Sequence, residues 1–438
     1  MDLDEQDTTD ANSNNGHVYP SPEEIDFDHH QPPAPTTNGP EKATQAEKPH
    51  DLTPESLTVS LVDQASKVEP RIFKAQWNPQ DSDNLVALGL DMPPRSYKVV
   101  VKNNSTIEFK SKLSAEYSDL PIGKGAVNGT LTFASWASDG ETIAVASDCD
   151  DKGSVTIIAS KEGVVKRTFP LSNHPSIILL RWNATNQFVL ALTSPAIDGS
   201  GSWVSIFDTF TGKILELQLP RASEDLDAVW TKEGGFAICD GKTLIQYEHC
   251  AESINKLGEF PEGGSPHLLE YDPASGLLAT AAESGKVIVW SSDEKHMELQ
   301  AHDGQVTTLK WQPAANGAAI LATAGEDQTV KLWNMGPEKS HKPLQIMDLK
   351  SSVLGLSFAP RGDFLAAATN SHVAIYNMMG SATPTVPVAT WMKGKQTGWQ
   401  SPKQTNGHVP EEDTHVLEWD PQGTKLALGV HSMVSLFG

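Results

Sequence analysis

Cysteine is scarce in this chain. Its three residues, Cys149, Cys239 and Cys250, form no C-x-x-C pair, which excludes a disulfide framework and a cysteine-based zinc site and favours a reducing compartment. Long apolar runs are missing too: none approaches the ~20 residues that cross a bilayer. The N-terminal stretch MDLDEQDTTDANSNNG lacks the apolar core of a secretory signal. An intracellular, soluble protein is expected, with the sequons at Asn104 and Asn183 unread. Positive charge is in deficit, 33 Lys and Arg against 56 Asp and Glu, for a net charge of −23. No broad basic face is available to grip nucleic acid directly, and no membrane contact is expected. An acidic surface suits basic protein partners.

Catalytic signatures are absent as well. There is no G-x-S-x-G elbow, no Walker loop and no G-x-G-x-x-G turn. The fourteen histidines do not cluster at metal-ligand spacing, and Asp148-Cys149-Asp150-Asp151 lacks the alternating ligands and terminal Glu of a calcium loop. Asp420, in EWDPQG, reads as a turn residue before proline. No catalytic residue, metal site or cofactor is expected.

What is present falls into two regions. Residues 1–50 carry eleven Asp and Glu against two Lys, with seven prolines and only Tyr19 and Phe27 as aromatics. Such a segment buries too little apolar surface to offset the entropy of ordering. Residues 1–55 are therefore expected to be a disordered acidic tail, either solvating or an interaction or phosphorylation segment around Ser21-Pro22. From there to residue 438 the pattern is one of short strands.

Two interleaved series organise the strands. An aromatic followed by a turn ends a short apolar strand at Trp77, Trp136, Trp182, Trp230, Tyr271, Trp311, Phe358 and Trp419. A second set of eight strands follows at Tyr97–Val101, Ser154–Ile158, Trp203–Asp208, Thr243–Tyr247, Lys286–Trp290, Thr329–Trp333, His372–Tyr376 and Met433–Phe437. Outer strands are expected after the first seven, beginning with Ile107–Lys110 and ending with Val386–Met392. The eighth unit has none before the sequence stops, whereas Ser56–Val62 precedes the first unit without a partner. Pairing the two removes an exposed edge. The pattern predicts an all-β, eight-bladed propeller over 56–438, closed by an N-terminal latch strand.

The most complete unit is Ala301–Asn334, AHDGQVTTLKWQPAANGAAILATAGEDQTVKLWN, which resembles a WD repeat. The resemblance implies a buried hydrogen-bonded set of His302, Thr323, Asp327 and Trp333. The last three repeats together, VTTLKWQPAANGAAILATAGEDQTVKLWN, SSVLGLSFAPRGDFLAAATNSHVAIYN and HVLEWDPQGTKLALGVHSMVSLFG, resemble the end of the transducin β-like corepressor family, which includes the fungal subunit of the Set3-type histone deacetylase complex. That resemblance implies an eight-bladed propeller, corepressor and histone deacetylase partners, and a nuclear location. Family members begin with a short helical dimerisation motif, and residues 1–50 show no such pattern.

Function is then expected on the surface. Positions ahead of each aromatic marker should ring one mouth of a propeller: Arg71, Phe73, Ile178, Glu224, Leu226, His267, Gln305, Thr307, Leu354 and His415. Apolar members of this ring either pack against neighbouring loops or anchor a peptide. The insertion after the seventh unit offers Trp391 and Trp399 as a second contact. The leading expectation is a non-catalytic scaffold binding proteins or peptides. A cytoplasmic adaptor, for instance of a ubiquitin ligase, and an enzyme using His267, His415, Glu224 and Asp413 are the alternatives.

Overall fold

The computed structural model describes residues 57–60, 72–89, 95–103, 111–119, 130–149, 152–161, 163–171, 176–195, 201–219, 226–260, 265–291, 294–313, 319–337, 340–379, 386–393, 416–430 and 433–437. The expected tail, 1–55, lies outside them. Among the described residues the only helix is the 3₁₀ turn Lys232–Gly234; the rest is strand, turn and bend.

The strands form four-stranded antiparallel sheets, eight among the described residues. The first sheet takes Ile72–Asn78, Asp81–Gly89, Arg95–Asn103 and Ser111–Asp119. The second takes Thr130–Trp136, Thr142–Cys149, Lys152–Ala159 and Val165–Pro170, and the third Ile177–Trp182, Phe188–Thr193, Trp203–Asp208 and Ile214–Gln218. The fourth has Asp227–Trp230, Gly235–Cys239, Leu244–His249 and Ile254–Phe260; the fifth has Pro266–Asp272, Leu277–Ala282, Lys286–Ser291 and Glu294–Gln300. The sixth has Val306–Trp311, Ile320–Gly325, Thr329–Asn334 and Gln345–Asp348; the seventh has Val353–Phe358, Phe364–Thr369, His372–Asn377 and Ala389–Met392. Val416–Trp419, Leu426–Val430 and Met433–Phe437 make the eighth, with Leu57–Ser60 as its fourth strand, Thr58 opposite Ser435. This is an all-β, propeller-like arrangement of repeated four-stranded units.

Burial explains the composition of each strand position. Second strands are covered on both faces, so they read as unbroken small apolar runs: LLATAA of Leu277–Ala282 is buried throughout. Outer strands alternate, as in Gln345–Asp348, where Gln345 and Met347 are buried and Ile346 and Asp348 exposed. Each sheet packs face to face on the next through its own apolar cluster. Val86 meets Leu131 and Ile143, Phe169 meets Phe207, Leu192 meets Phe236, and Phe260 packs on Trp290. The series continues with Leu299 and Trp311, Leu332 and Tyr376, and Trp391 and Leu426.

One strand expectation needs correction. The outer strand of the first sheet is Ser111–Asp119. Ile107–Lys110 lies outside the described residues, and the sequence SKLSAEYSD has too few apolar residues to announce a strand. Trp391, expected in the outer strand Val386–Met392 and also offered as a contact beside the insertion, sits in Ala389–Met392 and is 3% exposed, packed with Leu417, Leu426 and Leu428.

Candidate protein-interaction site

The sixth sheet holds its polar core by a directional chain of hydrogen bonds. His302 is 1% exposed; its Nδ1 lies 2.8 Å from Asp327 Oδ1 and its Nε2 2.8 Å from Thr323 Oγ1. Trp333 Nε1 donates to the same Thr323 oxygen at 2.9 Å. With a neutral imidazole every group has one role: Trp333 donates to Thr323, Thr323 to Nε2, and Nδ1–H to the carboxylate. Burial pushes the His302 pKa down, against the pull of Asp327. Burial alone would raise the Asp327 pKa, but hydrogen bonds from Thr329, His302 and Lys331 hold it well below the usual carboxylate value. Thr329 and Lys331 are additions that the sequence pattern did not single out. Thr329 Oγ1 donates to Asp327 Oδ1 at 2.7 Å, and Lys331 Nζ reaches Asp327 Oδ2 at 3.1 Å and Ala301 O at 2.6 Å. This set is structural: it ties the turn before the first strand to the second and third strands.

The first strands of neighbouring sheets pack together, and their starting ends define what we call the upper mouth. Here a recurring irregularity has a use. In six sheets the pairing of first and second strands skips one residue near the start of the first strand: Phe73, Thr132, Ile178, His267, Thr307 and Leu354. Such a bulge leaves one residue unpaired and re-aims its side chain. Five of these skipped residues belong to the predicted ring; Thr132 is the sixth. Ile178, Leu226, His267, Gln305, Thr307 and Leu354 are all half-buried.

Some ring members also contact one another. His267 Nε2 lies 3.0 Å from Val306 O, which only accepts, so Nε2 carries the proton. Its Nδ1 is then an acceptor, buried without a partner. Gln305 Nε2 approaches the same ring at 3.4 Å. The Thr307 hydroxyl lies against Ala324 O at 3.2 Å and within reach of Val353 O on the next sheet. Ile178 and Leu226 pack on the apolar cluster between the third and fourth sheets while keeping part of their surface. Arg71, Glu224, Asp413, His415 and Trp399 lie outside the described residues, as does the Phe73 side chain. Three of the four titratable groups invoked for an enzyme are among these. No group of three or more His, Cys, Asp or Glu side chains among the described residues could hold a metal ion. Among them, no helix is long and apolar enough to cross a membrane.

At the opposite, lower mouth, the marker tryptophans join sheet to sheet. Trp182 Nε1 donates to Ser135 O at 2.9 Å, Trp230 to Arg181 O at 2.9 Å and Trp311 to Glu270 O at 3.0 Å. Trp419 reaches Ser357 O at 3.1 Å, and Trp77 reaches Glu418 O at 3.1 Å. Each bond runs from one marker to the residue just before the marker of the preceding sheet. The Trp77 bond runs from the first sheet to the eighth. Lys425, 6% exposed, reinforces it by donating to Asp83 Oδ1 at 2.6 Å and Ser82 O at 2.8 Å. Asp420, expected as a plain turn residue, is fully buried and accepts from Thr424 N and Lys425 N at 2.6 and 2.7 Å, fixing that turn.

Comparison with known proteins agrees with this geometry. Residues 294–334 match the family model "WD domain, G-beta repeat". The chain is 26% identical over 170 residues to WD repeat-containing protein AAC3 of Dictyostelium discoideum, covering 32% of this chain and 34% of that protein. It is 27% identical over 139 residues to histone acetyltransferase type B subunit 2 of Aspergillus fumigatus, covering 28% of this chain and 30% of the relative. The chain thus spans about a third of the length of these curated relatives. Among solved structures, the C-terminal WD40 domain of Sif2 superposes with a TM-score of 0.62 at 16% identity, over 87% of this chain and 97% of that one. The chain therefore carries a WD repeat at 294–334 and has the WD40 propeller-like fold.

Proposed function

We propose that the eight sheets are the blades of one closed ring, with Leu57–Ser60 as its closing strand, and that the protein is a non-catalytic scaffold for protein or peptide partners at the upper mouth. The observation that carries this reading is the bulge repeated at equivalent positions of six sheets, where Thr132, Ile178, His267, Thr307 and Leu354 present half-buried side chains at one mouth. A rigid scaffold with partly exposed apolar anchors among polar neighbours suits a docked peptide. The bond from Trp77 to Glu418 and the Lys425 contacts with Ser82 and Asp83 support closure.

We infer further that the scaffold is a nuclear subunit of a transcriptional corepressor complex of the histone deacetylase class. The resemblance of the last three repeats to the transducin β-like family supports this, as does similarity to a subunit of a histone acetyltransferase. Affinity purification of the tagged chain with mass spectrometry, beside a Leu354→Ser variant, is the test. The reading expects a histone deacetylase with the intact chain and less of it with the variant. A ribosomal, vesicle-coat or ubiquitin-ligase set would overturn the corepressor assignment; an unaltered partner set in the variant would move the docking site away from the upper mouth.

A further inference from the structure

The lower mouth opens into a cavity of about 930 Å³ lined by residues of seven sheets, which the upper-mouth proposal does not use. Its rim is made by the turns that join first to second strands. On the side of the first two sheets these turns bring Pro79 and Ser138 into the lining and carry three exposed carboxylates, Asp81, Asp139 and Glu141. Two of them are held in place: Asp81 Oδ1 accepts from Asp83 N at 2.9 Å and Asp139 Oδ1 from Glu141 N at 2.8 Å. Lys425, the cation of the adjoining turn in the eighth sheet, is buried and already paired with Asp83 at 2.6 Å. Among the described residues, the exposed cations of the rim turns are Lys232 and Arg361, in the fourth and seventh sheets, where half-buried Asp272 and Asp363 match them in number. The rim is therefore acidic, and most so along the first and second sheets.

The wall inside this rim brings no net positive charge. Its charged residues are Glu418 and Arg181, and Arg181 is matched by Asp227 at 3.1 Å. The rest of its character is aromatic. Trp182, Trp230, Tyr271 and Trp419, from four different sheets, line the cavity half-buried, so part of each ring is open to an occupant. The three indole N–H groups bond carbonyls of neighbouring sheets. Ring orientations are thus fixed before anything binds, and little side-chain freedom is left to lose on docking.

Carboxylates and aromatic rings share one preference in a ligand, which is a cation. The carboxylate attracts it by charge and the ring by its quadrupole. Arginine meets both in one side chain, because its planar guanidinium stacks on a ring while its donors fork onto a carboxylate. A nucleic acid or an acidic peptide is repelled by the rim, and an uncharged segment gains nothing from it. We propose that the lower mouth is a second docking site, for an arginine-rich segment of a partner protein whose side chains lie on the rings of the wall and pair with Asp81, Asp139 and Glu141.

The test is calorimetric titration of the full chain with an alternating Arg-Ser decamer, beside a Glu-Ser decamer. Saturable binding of the Arg-Ser decamer alone is expected. In the triple variant Asp81→Asn, Asp139→Asn, Glu141→Gln, which removes three charges and keeps the oxygens that cap the turns, affinity should fall about tenfold. A second triple variant, Glu283→Gln, Glu294→Gln, Asp303→Asn, removes three exposed charges away from the cavity and controls for the net charge of −23. In about 0.15 M salt, where exposed charges more than about 8 Å away are largely screened, it should bind like the intact chain. Indole ¹⁵N–¹H spectra of the intact chain give a readout that needs no variant to fold: the Trp182, Trp230 and Trp419 peaks should move at saturation while that of Trp333, buried in the sixth sheet, stays. Leu354→Ser should leave the affinity unchanged, separating this site from the upper mouth. No saturable binding, equal affinity of the two triple variants, unmoved peaks for the three wall indoles, weaker binding by Leu354→Ser, or tighter binding of the Glu-Ser decamer would each overturn the proposal.

Discussion

Replacing Thr323 by valine removes one hydroxyl and keeps the volume. The residue is fully buried, and its oxygen serves both His302 Nε2 and Trp333 Nε1. Thr323→Val therefore leaves an imidazole acceptor and an indole donor buried and unmatched. Each such group costs about 1–3 kcal/mol, giving about 2–6 kcal/mol together against a domain margin of about 5–15 kcal/mol. Thr323→Ser is the control, since it keeps the hydroxyl and loses one methyl, at about 1 kcal/mol. Urea unfolding followed by tryptophan fluorescence should show a midpoint for the valine variant well below that of the serine variant, with similar slopes. In Trp333→Phe, where one of the two orphans no longer exists, the cost of Thr323→Val should shrink by about 1–3 kcal/mol. If Thr323→Val and Thr323→Ser unfold together, the hydrogen-bonded chain contributes nothing to stability and the reasoning is refuted.

The same site sets a pH dependence. Because burial depresses the His302 pKa below its ordinary 6.5, the unfolded chain takes up a proton that the folded ring refuses. The His302 contribution is full above pH about 6.5 and declines as pH falls below it. Subtracting the stability profile of His302→Gln from that of the intact chain should isolate this decline; a flat difference from pH 5 to 7 (about the range of a free imidazole) would contradict it. Trp391→Ala should cost about 3–5 kcal/mol in urea unfolding, as for a core indole, and a cost below about 1 kcal/mol would return Trp391 to the surface. Trp77→Phe and Trp182→Phe should each cost about 1–2 kcal/mol, because both break one indole-to-carbonyl bond between sheets. A negligible cost for Trp77→Phe alone would mean that the first and eighth sheets are not joined as the others are.

Much of the strand pattern is legible in the sequence because burial at each position is distinctive. VTTLKW, LLATAA and KVIVW show their alternation or continuity without help, and the two spaced series locate first and third strands in every sheet. The outer strands of the second to seventh sheets are legible as well, and the first is the exception. With so few apolar residues SKLSAEYSD reads as loop, although all nine of its residues pair with Arg95–Asn103. The strand of Trp391 is legible, but the burial of its side chain is not, because ATWM adjoins a polar insertion that also carries Trp399. The upper-mouth positions are visible as a recurring offset before each aromatic, but the bulge that aims them is a property of pairing. The partners of the marker indoles are out of reach altogether. Trp77 and Glu418 are separated by 341 positions, and no local pattern specifies that contact.

Closure of the ring by its N-terminal strand requires the register that sets Thr58 opposite Ser435. Cysteines introduced at these two positions, with Cys149 and Cys250 replaced by serine, test this directly under mild oxidation. A closed ring gives a reducible intramolecular crosslink in high yield and a raised melting temperature in the oxidised form. A crosslink yield no greater than that of Thr58→Cys paired with Glu216→Cys, on the outer strand of the third sheet, would contradict it.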